Sequence, residues 1–287
     1  MKPIRPISVY SIVNHEDDMK REIRVLLTED DFYARSWMEM ILRRDLRTRV
    51  VREVNGPIEL STALDDMHNH RVLVDMVIID TDVPGDQRWL ADVLRNYEKS
   101  KSKAAILLTG CAPNPRIATL KTLPHFAGYV LKGEICYSLA WAVSFANEGR
   151  MVITPGVLDL FGWNVTLPPG SMILDGRRPI ANLSKSDSER ARMAFIFSME
   201  RHELAHELGI SEDFSYGVVS ALYDKMGLDD VLEGMVSPEV YFGSHPAVID
   251  YLTRTLTHMK RTGSKKAKNK ETLAFHLFTM PEIQEVC

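Results

Sequence analysis

The chain of 287 residues is long enough for two domains of ordinary size. Its composition, 45% hydrophobic and 26% charged, is that of a globular protein rather than a disordered or fibrous one. The net charge of −4 argues against a protein that coats nucleic acid with its whole surface. No apolar run approaches the roughly 18–20 residues that cross a bilayer, and the first residues carry no signal-peptide pattern. We therefore expect a cytoplasmic protein without a membrane partner.

Short apolar runs alternate with helical patterns between Arg24 and Asn147. The runs are aliphatic and lack polar alternation, which is the pattern of strands buried on both faces of a parallel sheet. Strand and helix alternate over five repeats in this region, which predicts an α/β, doubly wound (βα)5 domain. In such a domain the functional groups collect at the carboxyl ends of the strands.

The residues at the predicted strand ends are suited to phosphoryl chemistry. The first strand ends in Glu29 and Asp30, the third in Asp80, the fourth in Thr109 and the fifth in Lys132. Clustered carboxylates repel one another unless a cation neutralises them, and a hard divalent ion such as Mg²⁺ prefers oxygen ligands. A carboxylate beside Mg²⁺ can attack a phosphoryl donor, and a lysine and a hydroxyl can bind the phosphoryl oxygens.

Four segments carry these residues: 25–31 (VLLTEDD), 75–85 (DMVIIDTDVPG), 106–110 (ILLTG) and 128–132 (GYVLK). They resemble, in order and spacing, the signature segments of the receiver domains of two-component response regulators. The resemblance implies a flavodoxin-like fold over residues 22–150. It also implies that Mg²⁺ is held by Glu29, Asp30, Asp80 and the backbone carbonyl of Asp82.

The same resemblance implies roles in phosphoryl transfer. Asp80 is the expected phosphoacceptor, and a histidine kinase is the expected partner. Thr109 is expected to register the phosphoryl group, Lys132 to pair with it, and Tyr129 to act as the switch aromatic. Beyond this phosphoryl transfer and its own dephosphorylation, the chain is not expected to be an enzyme.

A second family shares part of this pattern. The segments around Asp80, Thr109 and Lys132 also resemble the first three motifs of haloacid-dehalogenase-type phosphatases, which form an aspartyl phosphate too. In that family the first motif lies on the first strand of the chain, whereas here a strand with Glu29 precedes it. The fourth, acidic motif would have to be supplied by residues 229–230, which follow a helical pattern.

The second half begins with a proline- and glycine-rich stretch, residues 151–182, which predicts a linker. The segments 203–211 (ELAHELGIS) and 222–227 (LYDKMG) then resemble the helix-turn-helix of NarL/LuxR-type regulators. Gly209 suits the turn and Ser211 the start of the second helix. The resemblance implies an all-α output domain over residues 183–236 that controls transcription, as a homodimer. Residues 1–21 and 237–287 are the expected N-terminal and C-terminal extensions.

The predicted second helix departs from a DNA-reading helix. Residues 184–236 carry eleven acidic and five basic side chains, a net charge of −6, which repels phosphates. A receiver-controlled output that binds protein through Phe214, Tyr216, Val218 and Val219 is therefore the alternative. Residues 251–271 carry a net charge of +6 and offer the candidate DNA contacts, which are Lys260, Arg261, Lys265 and Lys266.

A third hypothesis rests on His202, Glu203 and His206, which form the H-E-x-x-H pattern of zinc metalloenzymes. Two histidines four residues apart lie on one helical face and can share a Zn²⁺ ion, with the glutamate as base. The helix-turn-helix resemblance already accounts for the glutamate, so only the histidines are left to explain. The three cysteines of the chain are scattered and add no zinc site.

Overall fold

The computed structural model describes residues 22–82, 88–99, 102–114, 125–161, 167–180, 182–243, 245–262 and 265–286. The expected N-terminal extension, 1–21, lies outside the described residues. The strands are β1 (Ile23–Thr28), β2 (Thr48–Val54), β3 (Met76–Asp80), β4 (Ala105–Gly110), β5 (Phe126–Leu131), β6 (Val152–Ile153), β7 (Met172–Asp175) and β8 (Glu282–Glu285).

The helices fall into two groups. Those of the first half are α1 (Phe32–Arg44), α2 (Pro57–His68), α3 (Arg88–Lys99), α4 (Lys132–Ile135), α5 (Leu139–Asn147) and α6 (Pro155–Phe161). Those of the second half are α7 (Lys185–Ala191), α8 (Arg201–Leu208), α9 (Glu212–Lys225), α10 (Leu228–Glu233), α11 (Glu239–Phe242), α12 (Pro246–Thr262) and α13 (Lys266–Thr279). None of the helices in the described ranges is long and apolar enough to cross a membrane.

The first five strands form a parallel sheet in the order β2-β1-β3-β4-β5. Every residue of β3 is buried, as expected for a central strand covered by helices on both faces. This arrangement confirms the predicted doubly wound, flavodoxin-like fold. The order places the carboxyl ends of β1, β3, β4 and β5 along one edge of the sheet.

The prediction of a linker over residues 151–182 is wrong for much of that segment. Strands β6 and β7 extend the sheet in parallel beyond β5, and β8 from the C-terminal extension pairs antiparallel with β7. The short apolar runs of β6 and β7 are mostly buried, and their burial stabilises these strands despite the flanking prolines. Gly128 permits the β5–β6 pairing, because a Cβ there would lie 1.8 Å from the Val152 carbonyl oxygen.

The two halves of the chain share one hydrophobic core. A single buried cluster runs from Leu27 of β1 and Trp141 of α5 to Leu204 of α8, Tyr251 of α12 and Phe278 of α13. A second cluster, with Leu60 of α2 and Leu94 of α3, fills the other face of the sheet. The C-terminal helices therefore cover the side of the sheet that carries α1 and α5.

A buried polar cluster lies where these halves meet. Arg47 pairs with Asp45 at 2.7 Å, and its guanidinium carbon lies 3.8 Å from the Trp141 ring centroid and 4.0 Å from that of Tyr251. The Tyr251 hydroxyl and His276 Nε2 are 3.1 Å apart. The cluster joins the α1–β2 connection to α5, α12 and α13.

Candidate functional site

Three carboxylates meet at the carboxyl ends of β1 and β3. Glu29, Asp30 and Asp80 each place an oxygen within 4.8 Å of the others. Glu29 and Asp80 are fully buried, whereas Asp30 is exposed at the rim. The neighbouring Asp31 does not join them, because its side chain accepts a hydrogen bond from the Ala34 amide at 2.7 Å and caps α1. The structure thus brings together the predicted acidic residues.

Lys132, the first residue after β5, reaches this acidic cluster. Its Nζ lies 2.7 Å from Glu29 Oε2, 3.0 Å from Asp80 Oδ1 and 3.8 Å from Asp82 Oδ2. Burial by itself would lower the pKa of Lys132, but Glu29 and Asp80 raise it above its ordinary value. The lysine therefore stays charged and offsets part of the negative charge of the cluster.

Asp80 lies in an environment that disfavours its charged form. Burial, followed by the charge of Glu29, raises the pKa of Asp80 to about 7, although Lys132 opposes the shift. Oδ1 accepts a hydrogen bond from the Asp82 amide at 3.2 Å. Oδ2 is buried and has no hydrogen-bond partner among the described residues. A buried carboxylate oxygen without a partner is costly, so this atom is suited to contact a bound ligand.

The donor set fits a hard divalent cation. Glu29, Asp30 and Asp80 supply only oxygen ligands. Burial and then the charge of Glu29 raise the pKa of Asp80, and a bound cation would stabilise the charged carboxylates against both effects. These three residues would hold a Mg²⁺ ion. The backbone carbonyl of Asp82 stays a predicted ligand, and the side chain of Asp82 accepts a hydrogen bond from the Cys111 amide at 2.5 Å.

Thr109 and Tyr129 lie beside the acidic cluster. Thr109, paired with Asp80 in adjacent strands, is buried, and its hydroxyl has no hydrogen-bond partner in the part of the chain that the structure describes. The Tyr129 ring is also buried, and its hydroxyl donates to the Ala112 carbonyl at 2.6 Å. Two contributors were not identified from the sequence. Thr81 donates its hydroxyl to the Thr109 carbonyl at 2.9 Å, and a Cβ on Gly110 would lie 2.6 Å from both hydroxyls, Thr81 and Tyr129.

The predicted turn between α8 and α9 has the expected conformation. Gly209 ends α8 in the left-handed region at φ 63°, and the Ser211 hydroxyl accepts from the Phe214 amide at 3.2 Å. Of the four apolar side chains proposed as a protein-binding surface, Phe214 and Tyr216 are 62% and 56% exposed. Val218 is partly buried and Val219 is fully buried, since both face the core. The prediction was therefore wrong for Val219.

The candidate DNA contacts are divided. Lys260, Arg261 and Lys265 are exposed. Lys266 instead pairs with Asp229 at 3.0 Å and with Glu233 at 2.7 Å, so it ties α13 to α10. The prediction that Lys266 contacts DNA phosphates is therefore wrong, because two carboxylates already offset its charge.

The described residues form neither a zinc site at the H-E-x-x-H pattern nor the fourth acidic motif of a haloacid-dehalogenase-type phosphatase. His202 and His206 lie exposed on α8, and the His202 ring contacts Glu200 at 3.4 Å. Within the described ranges, the cluster around Asp80 is the one group of three potential metal ligands, so the H-E-x-x-H pattern lacks a third. Asp229 of α10 is a candidate for the fourth phosphatase motif, but it pairs with Lys266 and Lys270 of α13 instead.

Comparison with family models finds no match, and comparison with curated proteins finds none either. Solved structures do match. The RcsB response regulator of Salmonella typhimurium is 18% identical, covers 81% of this chain and 98% of its own, and gives a TM-score of 0.40. ChrA, the response regulator of a heme-sensing two-component system, is 22% identical over 72% of this chain and 90% of its own, with a TM-score of 0.38. A LuxR-family regulator from Aurantimonas is 20% identical over 49% of this chain and 96% of its own, with a TM-score of 0.42. The chain is thus similar, at low identity, to these solved structures of response regulators.

Proposed function

We propose that this chain is a response regulator that accepts a phosphoryl group on Asp80 from a histidine kinase. One observation carries the proposal. The Asp80 carboxylate is buried at the end of β3 with one oxygen unpartnered, between two further carboxylates and Lys132. No structural hydrogen bond would be lost if that oxygen became bonded to phosphorus.

In the proposed reaction the unpartnered Asp80 oxygen attacks the phosphorus of a phosphohistidine. An O–P bond forms, the N–P bond breaks, and the electron pair of that bond stays on the imidazole nitrogen, which takes up a proton from water. A bound Mg²⁺ would supply positive charge to the phosphoryl oxygens. Lys132 supplies a second positive charge, and the unpartnered Thr109 hydroxyl can donate to the new group.

Acetyl phosphate labelling tests the assignment. We expect the wild-type chain to incorporate one phosphoryl group when Mg²⁺ is present, and Asp80→Asn to incorporate none. Asp31→Asn is the matched control, because an asparagine there still caps α1 and the residue does not belong to the carboxylate cluster. Undiminished labelling of Asp80→Asn would sink the proposal, and labelling unaffected by EDTA would remove Mg²⁺ from it.

For the output, we propose control of transcription through the α8–α9 unit, with the exposed cations of α12 and of the α12–α13 connection touching DNA phosphates. The support is the helix-turn-helix geometry at Gly209 and Ser211. If this holds, Lys260→Ala and Lys265→Ala each lower the salt dependence of binding to a selected duplex by about one counterion. The predicted homodimer belongs to this hypothesis and is tested by sedimentation with and without phosphorylation.

A second candidate, a protein-binding output, is favoured by the exposed face of α9. That face presents Phe214 and Tyr216 together with the acidic side chains of Glu212, Asp213 and Asp224. Such a face repels phosphates and offers apolar surface to a protein. The chain would then show no salt-dependent binding to any duplex selected from a random pool, whereas Tyr216→Asp would abolish the transcriptional response in cells.

A further inference from the structure

A basic groove adjoins the acidic cluster and meets it at Lys132. One cavity of about 350 Å³ lies between the turn after β7, helix α7 and the end of α13. A second cavity of about 300 Å³ continues from it towards Lys132. Both cavities share the side chains of Tyr137, Arg177 and Arg192. Each has the size of a small-molecule site.

The groove gathers several cations, and the carboxylate acting on Arg178, that of Glu282, forms no ion pair with it among the described residues. The charge of Arg177 is already paired, because Arg177 lies 2.6 Å from Asp175 and 3.4 Å from Glu134. Arg178, Lys185 and Arg192 also line the first cavity, and none of them has a carboxylate within ion-pair distance in the described part of the chain. Glu189 is the one acidic side chain among the described residues that line it. Like charges brought together in this way are destabilising unless an anion joins them.

Arg178 in particular is built into the wall of the groove. Its Nε is buried and has no hydrogen-bond partner within the described ranges, and its Nη2 donates to the Tyr241 carbonyl at 3.3 Å. Removing a guanidinium from water without a carboxylate is costly. A bound oxyanion would satisfy the unpartnered donor and offset the charge at the same time.

The remaining walls are aromatic and apolar. The Tyr137 and Trp37 rings lie 5.9 Å apart, and the Arg192 guanidinium lies 5.9 Å from the Tyr137 ring centroid. Ile180, Leu183 and Phe278 also line the first cavity. Cations next to aromatic and aliphatic surface suit a ligand that has both anionic groups and a flat ring.

We propose that this groove binds a nucleotide, with its phosphates at Arg178, Lys185 and Arg192 and its base against Tyr137. The site goes beyond the proposed phosphoryl transfer, since Asp80 and its carboxylate neighbours take no part in it. The walls of the groove come from the residues after α4, the turn after β7, helix α7 and helix α13. A bound nucleotide would therefore contact both the sheet side and the C-terminal helices, close to the phosphoacceptor.

Calorimetric titration of the full chain with ATP in EDTA tests the proposal, since EDTA keeps metal-bound nucleotide out of the acidic cluster. We expect saturable binding that weakens about tenfold or more in Arg178→Met and in Arg192→Met, each of which loses a charged contact. Arg190→Met is the matched control, because Arg190 lies on the same helix, α7, and does not line the groove. Pyrophosphate should bind at least about tenfold more weakly than ATP if the base contributes.

Several results would overturn it. Absence of saturable binding at millimolar ATP would remove the site, and unchanged binding by the Arg178→Met/Arg192→Met double variant would place it elsewhere. Loss of ATP binding in Asp80→Asn would assign the nucleotide to the phosphoacceptor crevice, whereas phosphorylation of Asp80 can fail without affecting this titration. If Arg178→Met does not fold, the exposed Arg192 suffices for the test.

Discussion

The guanidinium carbon of Arg47 lies 4.0 Å from the centroid of the Tyr251 ring. Arg47 belongs to the connection between α1 and β2, whereas Tyr251 belongs to α12 in the C-terminal half. The Trp141 ring lies 3.8 Å from the same guanidinium, so the cation contacts two aromatic rings. Burial by itself would raise the pKa of Asp45, but Arg47 holds it below its usual value. The two halves are therefore joined by the contact of the Arg47 guanidinium with Tyr251 as well as by apolar packing.

The first prediction concerns this ion pair. Arg47→Met removes the cation and leaves the Asp45 carboxylate buried without its partner, which costs about 3–5 kcal/mol. We expect the midpoint of urea-induced unfolding to move to lower urea concentration. Unfolding should remain one transition, because one core cluster spans both halves. Far-UV circular dichroism and tryptophan fluorescence measure it.

Arg49→Met is the control for Arg47→Met. Arg49 lies two residues further along, its side chain is 67% exposed, and its nearest acidic partner is Glu22 at 3.8 Å. We expect its substitution to change the free energy of unfolding by less than about 0.5 kcal/mol. Two separate transitions, with only one of them shifted by Arg47→Met, would show that the halves unfold independently.

The second prediction concerns His276 and pH. Burial lowers the pKa of His276 to about 4, with Arg47 adding to the shift and Asp45 opposing it from 3.9 Å. The unfolded histidine has a pKa of roughly 6.5, so it takes up a proton before the folded one does as pH falls. Stability is therefore complete above pH ~6.5 and is lost towards pH ~4, by about 3 kcal/mol in all.

The difference between wild type and His276→Gln isolates this contribution. Glutamine does not titrate and can still bond to the Tyr251 hydroxyl, which lies 3.1 Å from Nε2 in the wild type. We expect unfolding free energies to converge as the pH is lowered, since only the wild type loses stability through this group. Parallel curves from neutral to acidic pH would mean that folding does not lower the pKa of His276.

The sequence was sufficient for the first five strands and for the acidic site. Buried parallel strands show as aliphatic runs, and the position of Asp80 directly after such a run predicts where its side chain lies. The sequence was not sufficient for β6 and β7, because two and four residues between prolines and glycines carry too little periodicity. Their pairing depends on contacts with Gly128 and with β8, which are distant in the chain.

The polar contacts of the C-terminal half show the same limit. The charges of Lys266 and Lys270 read as a basic arm because residues close in sequence include few acids. Both in fact meet Asp229, which lies about forty positions earlier on α10. Similarly, nothing local to Arg47 or His276 indicates that the two would share one buried cluster.

The third prediction concerns Asp80 in the absence of metal. Its folded pKa of about 7 lies above the unfolded value of roughly 3.9, so the folded state holds more protons in between. Stability therefore falls as pH rises through this window. At pH ~8 in EDTA, Asp80→Asn should be more stable than the wild type by on the order of 2–4 kcal/mol.

Thermal unfolding with and without Mg²⁺ checks the Asp80 prediction. Mg²⁺ should stabilise the wild type far more than Asp80→Asn, because it binds the charged carboxylates of the folded state. Acidification to pH ~5 should also reduce the difference in stability between the wild type and Asp80→Asn. Equal stabilities in EDTA at every pH would show that the Asp80 carboxylate is ionised without cost.

The last prediction compares two glycines. A Cβ on Gly176 would lie 2.0 Å from the Ile135 carbonyl oxygen, where the turn after β7 crosses the end of α4. Gly176→Ala should therefore destabilise the chain by about 1–3 kcal/mol or more, since backbone has to move. Gly217, exposed within α9, has nothing within 4 Å of its Cβ position, so Gly217→Ala should stabilise the chain by about 0.5–1 kcal/mol through helix propensity. Urea unfolding of both variants measures the two changes in stability. A destabilised Gly217→Ala would mean that α9 packs against a partner at that face.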